Sequence, residues 1–227
     1  MAMLGKAALA MWWDIAPEVR AEFEHWHSHE HFPERLAIPG FQRAARWADA
    51  QGGEGFFICY ELAEHATLAS SAYLARLNAP TPWSTRLMPH HRDMVRAQCE
   101  VVASRGGAVG RHALTLRLSA QAGREIELER TLTALCGDLP ARPGLTGAHL
   151  LRSRPPAIAP TTEQKIRGLA DRSADSVFLA CGYELDVLRA LAADELGEEQ
   201  LQRAGAARGA GRALHALSLT MVPGDPP

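Results

Sequence analysis

Four of the ten histidines lie between positions 25 and 31. They belong to the segment Glu24-His25-Trp26-His27-Ser28-His29-Glu30-His31-Phe32-Pro33-Glu34-Arg35, which crowds imidazoles, carboxylates, an indole and a guanidinium together. Pro17 suits the first turn of a helix, where its missing N–H costs nothing. The pattern predicts that this helix runs to about Phe32 and loosens at Pro33. At about 100° per residue, Val19, Phe23 and Trp26 form its apolar stripe, and Glu30 falls in the same stripe one turn on. His27 and His31 flank that stripe on one side, His29 on the other, and His25 faces solvent. A carboxylate turned toward an apolar core must find partners, take up a proton or line a wet cavity. Glu30, His31 and His27 are therefore the candidate acid/base residues. The plainer alternative is a structural ion pair of Glu30 with Arg35, Arg43 or Arg46.

Other residue types fill out such a pocket. Trp13, Trp26 and Tyr60 are candidate walls, and Arg35 or Arg46 is placed to hold an anion or enolate. Tyr60 and Glu61 point to opposite faces of one strand, so only one of them can face a given cavity. The pairs His27/His31 and His25/His29 are each four apart, a spacing that metal sites use. No third ligand can be assigned, although His65, His90 and His91 are available. Cys59, Cys99, Cys136 and Cys181 lie far apart without a Cys-x-x-Cys pair, and read as buried thiols of a reducing compartment. No metal and no cofactor is expected. Neither a Gly-x-Ser-x-Gly elbow nor a Walker loop is present.

The elements that must position these residues repeat. Leu9, Met11, Trp13 and Ile15 alternate as in a strand, and the helix from Pro17 follows. A turn at Ile38-Pro39-Gly40 leads to a strand over Phe41–Ala48, and Gln51-Gly52-Gly53 signals a hairpin to a strand over 56–62. A second helix ends at Asn78-Ala79-Pro80. An inserted loop or short helix over 80–93, suited to cover a barrel mouth, precedes a fourth strand over 95–104. The order β-α-β-β-α-β is the ferredoxin-like unit. After Arg105-Gly106-Gly107-Ala108-Val109-Gly110, read as a linker, the same order starts again at His112. One ungapped offset pairs Ala16 with Ala120, Arg20 with Arg124, Pro39-Gly40 with Pro143-Gly144, and Ala44 with Ala148. A polar insertion over 154–172 separates the middle strands of the second copy.

The expected fold is thus α+β: tandem ferredoxin-like units, residues 1–106 and 107–227, sharing one barrel core within one chain. The helix of the second copy carries Ile126, Leu128, Leu132 and Leu135, an ordinary hydrophobic face. Any chemistry is therefore expected in the first copy. The chain has 227 residues, 47% hydrophobic and 22% charged, with net charge −2. That composition is globular and argues against disorder and against nucleic-acid or anionic-membrane binding. No stretch approaches a membrane span, and a cytoplasmic homodimer is expected.

Glu30-His31-Phe32-Pro33-Glu34-Arg35-Leu36 followed by Ile38-Pro39-Gly40-Phe41 resembles the helix-to-strand signature of dimeric α/β-barrel proteins, the EthD-like ones in particular. Ala72-Tyr73-Leu74-Ala75-Arg76-Leu77-Asn78 resembles an uncharacterised duplicated branch of that superfamily. The resemblance implies two packed ferredoxin-like units with a sheet-and-helix cavity for a small organic molecule. The wider superfamily includes cofactor-free monooxygenases, isomerases and heme proteins. Heme is not expected here, because no histidine of the second half is placed as an axial ligand. A cofactor-independent enzyme, monooxygenase- or isomerase-like, is the leading expectation. A non-catalytic binding or assembly module is the alternative, and a histidine-bound metal comes third.

Overall fold

A computed structural model describes residues 2–168 and 171–225. Leu169 and Ala170, inside the polar insertion, lie outside the described residues. The first half runs β1 (Ala7–Asp14), α1 (Pro17–Trp26), a π-helical turn (His27–His31), α2 (Phe32–Leu36), β2 (Phe41–Asp49), β3 (Gly55–Leu62), α3 (Ser71–Asn78), α4 (Pro82–Leu87) and β4 (Arg92–Gly106). The second half runs β5 (His112–Leu118), α5 (Glu125–Asp138), β6 (Leu145–Ser153), α6 (Thr162–Ile166), β7 (Ser176–Gly182), α7 (Leu185–Ala193), α8 (Glu198–Arg203) and β8 (Gly211–Met221). No helix is long and apolar enough to cross a membrane among these residues.

The strands close into one barrel in the order β1-β3-β2-β8-β5-β7-β6-β4, all antiparallel. Each half supplies four neighbouring strands, with its first and third strands in the middle. The halves meet along β2–β8, from Ala44↔Met221 to Asp49↔His215, and along β4–β6, from Cys99↔Ser153 to Gly106↔Gly147. The duplicated ferredoxin-like barrel is therefore complete within one chain. The turns before β2 and β6 also match: Gly40 and Gly144 take φ values of +97° and +89°, a left-handed conformation that favours glycine at both Pro-Gly sites.

Alternation along the strands sorts three cores. On β1, Ala8, Ala10 and Trp12 point into the barrel, while Leu9, Met11 and Trp13 point out toward α1–α3. On β5, Ala113 points in and Leu114, Leu116 and Leu118 point out against α5 and α7. The barrel interior is built from small residues, among them Ala45, Ala97, Cys59, Cys99 and Cys181, around three large rings. Phe57 stacks on Trp12 at 5.0 Å and on Trp47 at 5.2 Å between ring centroids. Eight strands enclose just enough width for side chains to fill. The four cysteines are free and buried.

The first helix loosens just before Pro33 rather than at it: a π-helical turn over His27–His31 is closed by the Phe32 N–H donating to the His27 carbonyl, and Pro33 sits in the first turn of α2. One expectation is corrected. The insertion over 80–93 does not cover a barrel mouth. Its α4 packs along α1, where Trp83 Nε1 donates to Glu22 at 3.2 Å and Arg86 pairs with the same carboxylate.

Phe57 is wholly buried at the centre of the interior stack. Phe57→Ala is expected to destabilise the chain by about 3–5 kcal/mol, read as a lower denaturant midpoint with an unchanged slope.

Candidate functional site

His27 faces inward one α-helical turn after Phe23, its N–H bonding to the Phe23 carbonyl. An unbroken α-helix would also bring Glu30 into the apolar stripe. With the wider turn that follows, His31 lies inside beside His27, ring centroids 5.3 Å apart, and Glu30 is half-buried on the flank. Single π turns of this kind are frequent at functional sites. Glu30 Oε1 accepts from Trp26 Nε1 at 2.9 Å, Thr81 Oγ1 at 2.5 Å and Ser84 Oγ at 3.3 Å. It clasps the π turn to the start of α4. The structural ion pair envisaged for Glu30 is also not formed: Arg35 pairs with Glu163, Arg43 with Glu61, and Arg46 donates to the Glu24 carbonyl and Ser218.

Behind this turn lies a cavity of about 40 Å³ between the outer face of the sheet and the first-half helices. That is room for a few water molecules. Leu9, Met11 and Trp13 of β1, Tyr60 of β3, and Met94 and Arg96 of β4 form its floor. Trp26, His31, Arg35, Tyr73 and Leu77 wall it, with Met88 and His91 from the segment before β4. Its roof comes from the second half: Thr161, Glu163, Gln164 and Arg167, in and around α6.

Several buried polar atoms of this lining have no partner among the described residues: Trp13 Nε1, His31 Nδ1, Arg35 Nη1 and Tyr60 Oη. Their residues are 4%, 8%, 3% and 1% exposed. Each such atom costs about 1–3 kcal/mol when left unpaired, so four in one small space mark a place built for a polar guest. The corresponding helix–sheet gap of the second half, about 390 Å³, is floored by Leu128, Leu132 and Leu150 and rimmed by charged residues. A larger groove of about 600 Å³, beside α5 and α8, is lined by leucines, alanines and acidic side chains. Neither contains a buried polar atom without a partner among the described residues.

The charge states follow from burial. Desolvation lowers His31 well below its ordinary value, reinforced by Arg35, His27 and His91, so the imidazole is neutral near pH 7. His27 is lowered in the same way, and His91 falls to about 3 despite its Nδ1 contact with the Met88 carbonyl. Burial raises the Tyr60 phenol, which stays protonated although Arg35 opposes the shift. The Arg35–Glu163 pair is 3% and 6% exposed and joins the two halves. Arg167 pairs with Asp171 at 2.8 Å. Arg96 has no ion-pair partner among the described residues and donates to Tyr73 Oη at 3.2 Å and Gln98 at 3.1 Å. The site thus offers neutral imidazoles, a phenol, an indole N–H and cationic guanidiniums among aromatic and methionine walls.

Five of the eight expected site residues meet here: Trp13, Trp26, His31, Arg35 and Tyr60. His27 stands behind His31, packed on Phe32 and Phe23. Arg46 lies over Phe23, away from the cavity, and burial lowers it to about 10. Glu61 faces the barrel interior with Arg43. Reading the sequence alone missed Arg96, which shares its strand face with Met94, and Glu163 and Arg167, four apart in α6 and at its C-terminal end. The His25/His29 pair is exposed, and no group of three or more His, Cys, Asp or Glu is arranged to hold a metal among the described residues.

The buried histidines, with half-buried His91, make stability depend on pH. His27, His31 and His91 are held below the 6.5 of a free imidazole. His149 and His215, inside the barrel, are each lowered to about 4. Below about pH 6.5 the unfolded chain binds more protons than the folded one, so stability is full above that value and is lost as pH falls toward the folded values. Each group contributes a slope of about 1.4 kcal/mol per pH unit over that window. The urea midpoint is expected to fall between pH 7 and 5, and His91→Asn to flatten that decline.

No family model and no curated protein matches the sequence. Solved structures do. An anthrone oxidase-like protein superposes with a TM-score of 0.68 at 11% identity, over 99% of this chain and 97% of that one. A candidate monooxygenase of Fusobacterium nucleatum gives 0.63 at 9% identity, over 97% and 96%. Another, of Lactobacillus acidophilus, gives 0.55 at 10%, over 97% of both chains. At such identities the likeness is one of fold, and the chain folds as a dimeric α/β barrel whose two ferredoxin-like halves are joined in one polypeptide.

Proposed function

We propose that the first half binds a flat, oxygen-bearing aromatic molecule in the cavity beside His31 and oxidises it with dioxygen, without a cofactor. The observation that carries this reading is that Trp13, His31, Arg35 and Tyr60 line one cavity with aromatic walls and each carries a buried polar atom without a partner among the described residues. The likeness in fold to an anthrone oxidase-like protein and to candidate monooxygenases supports the reaction class. An anthrone illustrates the chemistry. Its central methylene is acidic because the resulting carbanion delocalises as an enolate. His31, neutral, takes the proton, and the enolate oxygen accepts from Tyr60 and Arg35. A depressed imidazole is a weak base in isolation, but the enolate formed beside it stabilises the imidazolium. Dioxygen then takes the electrons: the methylene loses two hydrogens and gains one oxygen atom, and the second oxygen leaves as water. One anthrone and one dioxygen give one anthraquinone and one water. A cavity of this size admits such a ring system only after its roof moves.

The test is dioxygen uptake with 1,8-dihydroxyanthrone, corrected for the uncatalysed rate, beside thermal shift with anthrones, naphthols and hydroxyquinones. Wild type is expected to accelerate uptake and to be stabilised. His31→Ala should lower the rate by about 10²–10⁴-fold, and Tyr60→Phe by about 10-fold or more. Stabilisation without uptake would leave a binding module. Neither effect with any compound would remove the reading.

A further inference from the structure

Resting on the cavity as the ligand site, we infer that its ligand is an organic anion, and that the Glu163 carboxylate holds the anion's place on Arg35 until the ligand arrives. Three guanidiniums line the cavity, those of Arg35, Arg96 and Arg167, against one carboxylate, Glu163. Asp171 balances Arg167. Arg96 has no carboxylate partner among the described residues, so the lining keeps a positive excess once the Arg35–Glu163 pair is counted. The unpartnered atoms point the same way. Trp13 Nε1 and Arg35 Nη1, both on cavity-lining residues, can only donate. Such a surplus of cations and donors matches a guest rich in acceptor oxygens, a carboxylate or a phenolate.

Glu163 is the one carboxylate among the lining residues, and it comes from the other half of the chain. Its helix, α6, has five residues. Besides the Arg35 pair, α6 is tied to the first half where Asn78 Oδ1 accepts from the Thr162 N–H at 3.0 Å and from its hydroxyl at 3.3 Å. Among the described residues these are its polar ties to the first half, beside the packing of Ile166 on that half's core, and a helix so short can leave without unfolding either half. Exchange of one carboxylate for another also keeps Arg35 paired throughout, so opening never strands a buried charge. An uncharged ring of the same shape offers no such exchange and must open the roof unaided.

The inference is tested by calorimetric titration with 2-naphthoate and with 2-naphthylmethanol, which share a ring and differ in charge. Wild type is expected to prefer the naphthoate. Glu163→Gln removes the internal competitor, and should bind naphthoate at least ten-fold more tightly while binding the alcohol within two-fold of wild type. Glu163→Asp, which keeps the charge, should bind naphthoate more weakly than Glu163→Gln does. If Glu163→Gln fails to fold, amide exchange in wild type decides: residues 162–166 should lose protection when naphthoate binds. An equal gain for both probes, no gain in Glu163→Gln, or increased protection of α6 would overturn the inference and leave the ligand site standing. Binding of neither probe by any variant would remove both.

Discussion

The narrowness of an eight-stranded barrel governs where this molecule can hold anything. Closing β1 to β8 into one ring forces half of every strand's side chains inward, into a space that Trp12, Phe57 and Trp47 nearly fill. Many of the remaining inward positions are accordingly small, such as Ala8, Ala10, Ala45, Ala97 and Ala113, and others carry Val177, Leu179 and Leu151. A guest has no room there. The outward faces are different, because each is covered by helices whose distance from the sheet depends on the side chains between them. In the second half leucines fill much of that layer. In the first half the layer includes Tyr60, Arg35, His31 and Arg96, which are too polar to seal as oil.

Much of this was legible before any coordinates. The alternation of β1 and β5, the Pro-Gly turns before β2 and β6, and the repeated β-α-β-β-α-β order depend on local physics: a period of two, a left-handed glycine, a helix stop. Those signals survive folding because nothing distant competes with them. Trp13 could be grouped with Leu9 and Met11 on one strand face, Tyr60 set opposite Glu61, and Trp26 put on a helix stripe, for the same reason. The expected cavity residues that the fold gathers are mainly those whose orientation follows from such a period.

What was not legible depends on departures from the period or on contacts between distant segments. Counting α-helical turns puts Glu30 on the apolar face, whereas past the wider turn it is His31 that lies inside. Pro33 is the only local hint of that turn, since its ring lacks the N–H that a regular helix would use. Glu163 and Arg167 sit in a polar insertion whose capping box, Thr161 with Gln164, announces a helix but not its destination. Their role over the other half's cavity exists only once β4 and β6 pair and bring the insertion across. Arg46 misled for the opposite reason: its strand face is correct, but it packs near Phe23, beyond the reach of the cavity.

The continuity of the chain through residues 107–111, between β4 and β5, carries a consequence for how such a molecule can evolve. In a barrel made of two identical subunits every substitution appears twice, related by a two-fold axis. A roof residue suited to one cavity would then be imposed on both, and each subunit would have to serve as chamber and cover together. Joining the halves breaks that symmetry. Residues 154–168 can specialise in covering, the π turn in lining, and α5 can remain a plain leucine face without compromise to the other. One chamber is given up, and the remaining one gains a roof that can change its chemistry independently of its walls.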